Sequence, residues 1–200
     1  MLKVGLTGGV ACGKSTVAAM LSEMGCEVVD ADQLGHQAIA PGGPAYQAVL
    51  DAFGSILADA QGPISRPLLA ERVFARPAEL ARLNAIVHPA IMELVERRCR
   101  EFARRNPRGI LVVDAALIFE ARVEKRFQKV IVVDCTPEQQ AARFVARGLG
   151  GEEEARSRIA AQLPRKVKLA CADFVVDSSG ALEETRRQVE EIYQELRKLV

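Results

Sequence analysis

The sequence predicts an α/β fold in which five short parallel strands alternate with helices. Strand-like apolar runs recur along the chain, with helical periodicity between them, and lie at 2–6, 26–29, 109–114, 129–134 and 173–177. This alternation is typical of a parallel sheet with helices on both faces. The chain has 200 residues, 49% of them hydrophobic, which is enough to bury one sizeable core. We therefore expect a single domain over residues 1–200.

The first strand leads into a glycine-rich loop that fits the pattern G-x-x-x-x-G-K-[ST], and a helical pattern follows it. We call this loop the phosphate loop; its residues are Gly8, Gly9, Val10, Ala11, Cys12, Gly13, Lys14, Ser15 and Thr16. Glycines let backbone N–H groups converge on an anion, and the positive end of the helix dipole points at the same place. The alternative is an ordinary strand-to-helix turn. The sequence disfavours it because strand, loop and helix all occur in the required order.

Two side chains of the phosphate loop suit a nucleoside triphosphate such as ATP. Lys14 supplies a positive charge for the outer phosphates, and Ser15 supplies a hydroxyl ligand for Mg²⁺. With the strand pattern, this predicts the three-layer architecture of P-loop NTPases. The motif does not say how the phosphate is used, because switches, motors and kinases share it.

Two carboxylates, Asp30 and Asp32, follow the second strand. In open parallel sheets, ligands bind at the carboxyl ends of the strands, so we expect both acids to share an edge with the phosphate loop. Either one can cap the helix that follows. The other is then available for chemistry, and Asp32 is the candidate that orients an attacking hydroxyl or accepts its proton.

Residues 41–107 show no strand pattern and are expected to form an inserted helical lobe that covers the acceptor substrate, because long insertions are usually functional. Helical patterns cover 44–53, 68–74, 77–87 and 90–103, and we expect His88-Pro89 to break the last two apart. His88 is then either a structural residue at that break or a direct ligand contact.

Polar residues also follow the later strands. Asp114 ends the third strand and suits an acid that holds Mg²⁺, directly or through water; the alternative is a helix N-cap. Glu120, a short loop later, is either a surface carboxylate or a second acidic contact. The turn at Ser179 follows the fifth strand, where backbone groups can contact a purine base.

Arginines flank a glycine-rich hinge at 148–151, which predicts a lid over residues 143–165. A capping box with Pro137 opens a helix that carries Arg143 and Arg147, and a charged helix with Arg158 follows the hinge. Guanidinium groups on a lid can reach the transferring phosphoryl group and then release it. The alternative for each arginine is an ordinary solvated position on a charged helix.

Composition limits the partners. The formal net charge is +1, so we expect neither nucleic-acid nor membrane binding. The five cysteines are scattered without C-x-x-C spacing, and the first strand begins at once, which favours the cytoplasm over export. The oligomeric state stays open, a homo-oligomer included. A guanine-recognition motif of the N-K-x-D type is absent from the sequence, which favours a small kinase over a GTPase switch.

As an ordered set, the motifs resemble the dephospho-CoA kinase family over nearly the whole chain. The matching residues are Val4 to Gly9, Gly13 to Thr16, Asp30 to Asp32, His88-Pro89, Asp114, Leu117, Phe119-Glu120, Arg143, Arg147, Arg158-Ile159, Gln162, Ala172-Asp173 and Ser179-Gly180. The resemblance implies transfer of phosphate from ATP to the ribose 3′-hydroxyl of dephospho-CoA, the last step of coenzyme A synthesis.

The resemblance also implies roles for individual residues. Asp32 is the catalytic base, aided by Lys14, Arg143 and Arg147. Arg143 and Ser179 join the phosphate loop in binding ATP, and Ser15 and Asp114 hold Mg²⁺. The substrate-binding set comprises Thr7, Asp32, His88, Leu117, Glu120 and Arg158.

Two positions depart from the family's pattern. Ala116 stands where proline is usual, and Ser178 stands where asparagine is usual. The change at Ala116 bears on the rigidity of the loop after the third strand, which contacts the acceptor. The change at Ser178 bears on the contact with adenine. The alternative functions are a nucleoside monophosphate kinase, which uses a smaller acceptor, and a nucleotide-gated binding module without an acceptor.

Overall fold

The computed structural model describes residues 1–54, 62–74 and 76–200, without the side chain of Phe74. The chain divides into two compact units. The first unit comprises Met1–Asp30 and Cys99–Val200, and the second comprises Ala31–Arg98. The parts of the helical-lobe prediction that fall on residues 55–61 and 75 lie outside the described residues.

The first unit contains a parallel sheet of five strands within the described chain, which confirms the predicted α/β fold. The strands are β1 Leu2–Gly8, β2 Glu27–Asp30, β3 Ile110–Asp114, β4 Lys129–Asp134 and β5 Phe174–Asp177. Their order across the sheet is β2-β3-β1-β4-β5. The three central strands are almost entirely buried, as expected for continuous apolar runs covered on both faces.

Four of these strands, β2 to β5, end on an aspartate at one edge of the sheet. Asp30 pairs in register with Asp114, and Asp134 pairs with Asp177. Leu6 of β1 also pairs with Asp114, and β1 ends two residues later, at the start of the phosphate loop. Parallel strands thus bring acids from distant parts of the sequence to the edge that carries the loop.

The first unit also contains helices. They are α1 Lys14–Glu23, α6 Pro137–Ala146, α7 Glu152–Ala160, α8 Arg165–Ala170 and α9 Leu182–Arg197, of which α1 and α9 lie against strands of the sheet. The last helix, α9, buries Val189, Ile192 and Leu196 in the same apolar cluster as residues of α1 and the central strands. A capping box opens α6 as predicted, with Pro137 in its first turn. Among the described residues, no helix is long and apolar enough to span a membrane.

The second unit is helical. It contains α2 Ala31–Ala38, α3 Tyr46–Phe53, α4 Arg66–Phe74 and most of α5 Pro77–Arg105, whose last turns belong to the first unit. The predicted break at His88-Pro89 is wrong, because α5 continues through Pro89. Proline removes one N–H donor and costs about 3 kcal/mol inside a helix. The 29 residues of α5 bury enough apolar surface, through Leu94, Val95 and Cys99 among others, to outweigh that cost.

Two further details differ from expectation around the predicted lid. The helix after the glycine hinge ends at Ala160, before the end of the predicted lid, and a short helix, α8, follows that the sequence did not predict. Pro164 separates the two, because its ring cannot continue the preceding helix. Arg147 lies at the C-cap of α6 rather than inside it.

Candidate active site

The phosphate loop joins β1, which ends at Gly8, to α1, which begins at Lys14. Gly13 precedes the helix with φ of 86°, a left-handed conformation that glycine adopts without strain. Gly8 is needed for a different reason, since a Cβ there would lie 2.6 Å from the carbonyl oxygen of Val133. The first N–H groups of a helix have no partner within it, so the start of α1 presents donors to an anion held by the loop.

A cleft of about 210 Å³ lies over the phosphate loop. Its walls are Gly8 to Ser15 of the loop together with Ala116, Arg147 and Gln162. Arg147, predicted from a helical face of the lid, therefore does lie beside the phosphate loop. Gln162 was part of the resemblance but not of the predicted site, and its Oε1 accepts a hydrogen bond of 3.1 Å from the N–H of Val10. The lid segment and the loop are thus in direct contact.

The side chain of Lys14 forms an ion pair with Asp114 at the end of β3. Both side chains are mostly buried. The sequence placed each of them in the site but did not predict that they pair. A helix N-cap is wrong for Asp114, because the residues directly after it form turns rather than a helix. The pair concentrates a cation and a carboxylate, the two groups that a nucleotide with Mg²⁺ requires, at the mouth of the loop.

Ser178 connects the loop after β5 to the phosphate loop. Its buried hydroxyl lies 2.7 Å from the carbonyl oxygen of Cys12 and 3.0 Å from that of Asp134, and its single proton serves one of them at a time. Arg143 of α6 donates to the carbonyl oxygen of Ser178 at 2.6 Å and to its hydroxyl at 3.3 Å. At the position where the family usually has asparagine, serine therefore joins three segments around the phosphate loop.

Ser179 also contacts α6. The Nε2 of Gln139 donates to the carbonyl oxygen of Ser179 at 2.9 Å, and the N–H of Ser179 donates to Asp177 at 2.8 Å. Hydrogen bonding by the Ser179 side chain, followed by this backbone bond, lowers the pKa of the Asp177 carboxyl below its usual value. The backbone of this turn, which was predicted to contact a purine base, is therefore fixed by hydrogen bonds to Gln139 and Asp177.

Glu120 is partly buried in an ion pair with Lys168 of α8. Its Oε1 lies 2.8 Å from the Lys168 Nζ and accepts a hydrogen bond of 3.1 Å from the N–H of Leu163. Lys168 is almost entirely buried, with 4% of its surface exposed. Glu120 thus connects the loop after β3 to the base of the lid, which is a tertiary contact that the sequence alone did not reveal.

Arg158 has local partners on the lid. Its guanidinium donates to Glu154 one turn earlier on α7 and lies 5.4 Å from the ring centre of Phe144. It is not among the described residues that line the phosphate-loop cleft. Of the predicted arginines, the structure brings Arg147 to the cleft, places Arg143 against Ser178, and holds Arg158 on the surface of α7.

The loop after β3 begins at the cleft. Ala116 lines the cleft, and its carbonyl oxygen accepts a hydrogen bond of 3.1 Å from the buried hydroxyl of Thr7. This bond tethers the backbone at the position where the family usually has proline. Leu117, the next residue, is about half exposed and available to a ligand.

Two predicted site residues belong to the second unit. Asp32 lies in the first turn of α2 and is exposed, while Asp30 directly precedes that helix. His88 lies inside α5 and is half-buried, and its burial lowers the pKa of the imidazole below 6.5. His88 therefore belongs to a continuous helix and does not mark a helix break.

One prominent interaction at the strand ends was missed. Asp134, buried at the end of β4, accepts hydrogen bonds of 2.8 and 2.9 Å from the Nε of Arg165 on α8. Hydrogen bonds from Arg165 use both oxygens of the carboxylate, and they raise the pKa of that guanidinium. The aspartates that end the other strands were a signal that could have identified Asp134.

Comparison with known proteins places the chain in a family. The family model described as CoaE, dephospho-CoA kinase, matches residues 2–184. A curated dephospho-CoA kinase from Streptomyces avermitilis is 43% identical over 198 residues, which cover 98% of this chain and 94% of that protein.

Solved structures agree with the observed fold. A crystal structure of a protein from Thermus thermophilus is 30% identical with a TM-score of 0.80, and the match covers 98% of this chain and 97% of that one. A dephospho-CoA kinase from Campylobacter jejuni has the same fold, with a TM-score of 0.73 at 24% identity and the same two coverages. The match of the family model over most of the chain, the curated relative and the phosphate-loop geometry lead to one conclusion: this chain belongs to the dephospho-CoA kinase family.

Proposed function

We propose that this protein transfers the γ-phosphoryl group of ATP to the ribose 3′-hydroxyl of dephospho-CoA, giving coenzyme A and ADP. The observation that carries the proposal is the phosphate-loop cleft with Arg147 on its wall, in a chain of this family. Phosphoryl transfer requires little covalent chemistry from the protein; it requires positioning and neutralisation of charge. The described residues include groups that can position the phosphates and groups that can neutralise their charge.

In this proposal the phosphate loop binds the ATP tail. Backbone N–H groups of the loop and the start of α1 donate to phosphate oxygens, and Lys14 neutralises the outer phosphates. Arg143 and Ser179 bind the purine end of ATP, where hydrogen bonds from α6 fix the turn after β5. Closure of the lid over residues 143–165 brings Arg147 against the transferring group and excludes water.

The donor set also fits Mg²⁺. The hydroxyl of Ser15 and the carboxylate of Asp114 are hard oxygen ligands at the phosphate loop, the type that Mg²⁺ prefers. When bound, the ion neutralises charge that develops on the phosphate oxygens. The carboxylate of Asp114 lies beside Lys14, so an Mg²⁺ ion held by Asp114 and the Lys14 ammonium group would act on neighbouring phosphates.

The acceptor is assigned to a second group of residues. We propose that Asp32 orients the 3′-hydroxyl and accepts its proton. Its sequence position, two residues after the end of β2, supports this role, because ligands of parallel sheets bind at the carboxyl ends of the strands. Thr7, Leu117, Glu120 and Arg158 complete acceptor binding in the first unit. The helical segment 41–107, with His88, is proposed to hold the rest of the CoA moiety.

We further propose that the enzyme acts in the cytoplasm, with dephospho-CoA and ATP as its partners and without binding nucleic acid or membranes. The near-balanced charge of the sequence supports the absence of nucleic-acid and membrane binding, because it gives no general attraction to polyanions.

An acceptor screen tests the proposed reaction. Purified protein is incubated with labelled ATP, MgCl₂ and either dephospho-CoA, AMP, CMP or UMP, and ADP and labelled product are separated. Labelled coenzyme A formed only with dephospho-CoA, and abolished by Lys14→Ala, is the expected result. Transfer to the nucleoside monophosphates alone would establish a nucleoside monophosphate kinase. ADP release that no acceptor raises above background would favour a nucleotide-gated binding module.

A further inference from the structure

Two cysteines meet directly behind the phosphate loop. The sulfur of Cys12, inside the loop, lies 3.4 Å from the sulfur of Cys135, the residue after β4. The two residues are 123 positions apart in the sequence, so the fold alone brings them together. Cys26 and Cys99 are buried elsewhere in the structure, and Cys171 is exposed.

Hydrogen bonds hold both cysteines in place. The hydroxyl of Ser178 lies within hydrogen-bond distance of the Cys12 carbonyl oxygen, and the Nε2 of Gln140 donates to the Cys135 carbonyl oxygen at 3.4 Å. Both cysteines are almost completely buried. Cys12 nevertheless lines the cleft over the phosphate loop, so a molecule close to water in size has a short path to the pair.

The surroundings favour a thiolate on one of the two sulfurs. The hydrogen bond with Cys12 and the positive charge of Arg143 lower the pKa of the Cys135 thiol to about 7, against burial and the charge of Asp134. The side-chain hydrogen bond with Cys135, followed by burial, raises the pKa of the Cys12 thiol, so Cys12 is the member of the pair that keeps its proton. A thiolate beside a thiol is the arrangement from which disulfides form, because the thiolate is the nucleophile.

We propose that Cys12 and Cys135 form an oxidisable modification site, at which a peroxide converts the two thiols to a disulfide that blocks nucleotide binding. In the first step the Cys135 thiolate attacks one oxygen of hydrogen peroxide; an S–O bond forms, the O–O bond breaks, and hydroxide leaves and takes a proton to become water. Cys12 then attacks the resulting sulfenic acid, the S–S bond forms, and a second water leaves. Two thiols are oxidised, and one peroxide is reduced to two waters.

The disulfide changes the geometry of the phosphate loop. A disulfide has a sulfur–sulfur distance of about 2.05 Å, so the two sulfurs must approach by about 1.4 Å from their present contact. Cys135 directly follows a buried central strand, whereas Cys12 belongs to a loop. The loop therefore makes most of the movement. A misplacement of about 1 Å in a positioning group costs on the order of 100-fold in function, and the residues next to Cys12 are Gly13 and Lys14.

The experiment measures ATP binding and disulfide formation, so that its outcome does not depend on the identity of the acceptor. Full-length protein is treated with hydrogen peroxide in the presence or absence of ATP, digested without reduction and mapped by mass spectrometry. ATP affinity is measured by titration before and after treatment. The expected results are a cross-linked pair of peptides containing Cys12 and Cys135, at least a tenfold loss of ATP affinity, and recovery with dithiothreitol. Prior ATP slows the reaction, because nucleotide covers the cleft.

Two variants control for other oxidation events. Cys135→Ser retains ATP binding before treatment and resists peroxide, whereas Cys171→Ser, at an exposed lone cysteine, stays as sensitive as the natural chain. Thermal denaturation verifies that both variants are folded. Equal loss of ATP affinity in Cys135→Ser and the natural chain would overturn the proposal. So would a Cys12–Cys135 disulfide that leaves ATP affinity unchanged, or treated protein without this cross-link.

Discussion

Breaking the ion pair between Glu120 and Lys168 is expected to destabilise the protein strongly. The charged atoms are 2.8 Å apart, and 5% of the Lys168 side chain and 18% of the Glu120 side chain are exposed. At an effective dielectric constant of about 20, their gross attraction is about 6 kcal/mol, which offsets the desolvation of both groups. Lys168→Met leaves the Glu120 carboxylate buried without its counter-charge. We expect the free energy of unfolding to fall by about 3 to 5 kcal/mol.

Urea denaturation followed by circular dichroism measures this change. With a slope of roughly 2 kcal/mol per molar urea, the midpoint falls by about 1.5 to 2.5 M. The chain offers a matched control in Lys129 and Asp173, which also lie 2.8 Å apart but are about one-third exposed. Lys129→Met should cost less than about 1 kcal/mol, because solvent screens that pair.

A double variant separates the cost of an unpaired charge from the value of the pair. Glu120→Gln with Lys168→Met removes both charges and should recover most of the lost stability, because apolar or neutral replacements of buried ion pairs are often nearly neutral. A midpoint shift for Lys168→Met no larger than that for Lys129→Met would show that burial does not strengthen the pair. A double variant that loses as much stability as Glu120→Gln and Lys168→Met lose separately, added together, would show that the two charges do not stabilise each other.

Further predictions concern the reaction and its pH dependence. Lys14→Ala should weaken ATP binding and lower kcat on the order of 100-fold, because an ammonium group at the outer phosphates is lost; calorimetry and initial rates measure both. Asp32→Asn should lower kcat by about 10²- to 10⁴-fold with ATP affinity kept, and unchanged turnover would exclude it as the base. Burial lowers the pKa of His88 below 6.5, so the unfolded chain binds a proton there that the folded chain does not. Stability from this group is therefore complete above about pH 6.5 and declines as the pH falls toward the folded-state pKa; His88→Gln should reduce that decline in urea titrations between pH 7 and 5.

Local patterns predicted most of the sheet and the phosphate loop. The strand runs are mostly apolar, and the loop motif needs only neighbouring residues, so both are visible without tertiary information. The continuation of α5 through Pro89 was not visible, because burial of distant side chains compensates for the lost hydrogen bond. The six-residue helix α8 is too short for a periodic signal.

The pairings within the site were also beyond the sequence. Lys14 and Asp114 are 100 residues apart, and Asp134 and Arg165 are 31 apart, so only the folded sheet shows which cation meets which carboxylate. Residue types at strand ends identified Asp114 as a site residue but not its partner. The contact between the Cys12 and Cys135 sulfurs has the same origin, since neither spacing nor composition marks them as neighbours.

The ion pair of Lys14 has a consequence for the entropy of nucleotide binding. A free lysine side chain samples many rotamers, and ordering it costs up to about 2 kcal/mol. Asp114 restricts this side chain through the ion pair. In the proposed ATP complex, the phosphates would therefore meet an ammonium group that folding has already ordered, and a greater share of the phosphate–lysine attraction would be retained as affinity.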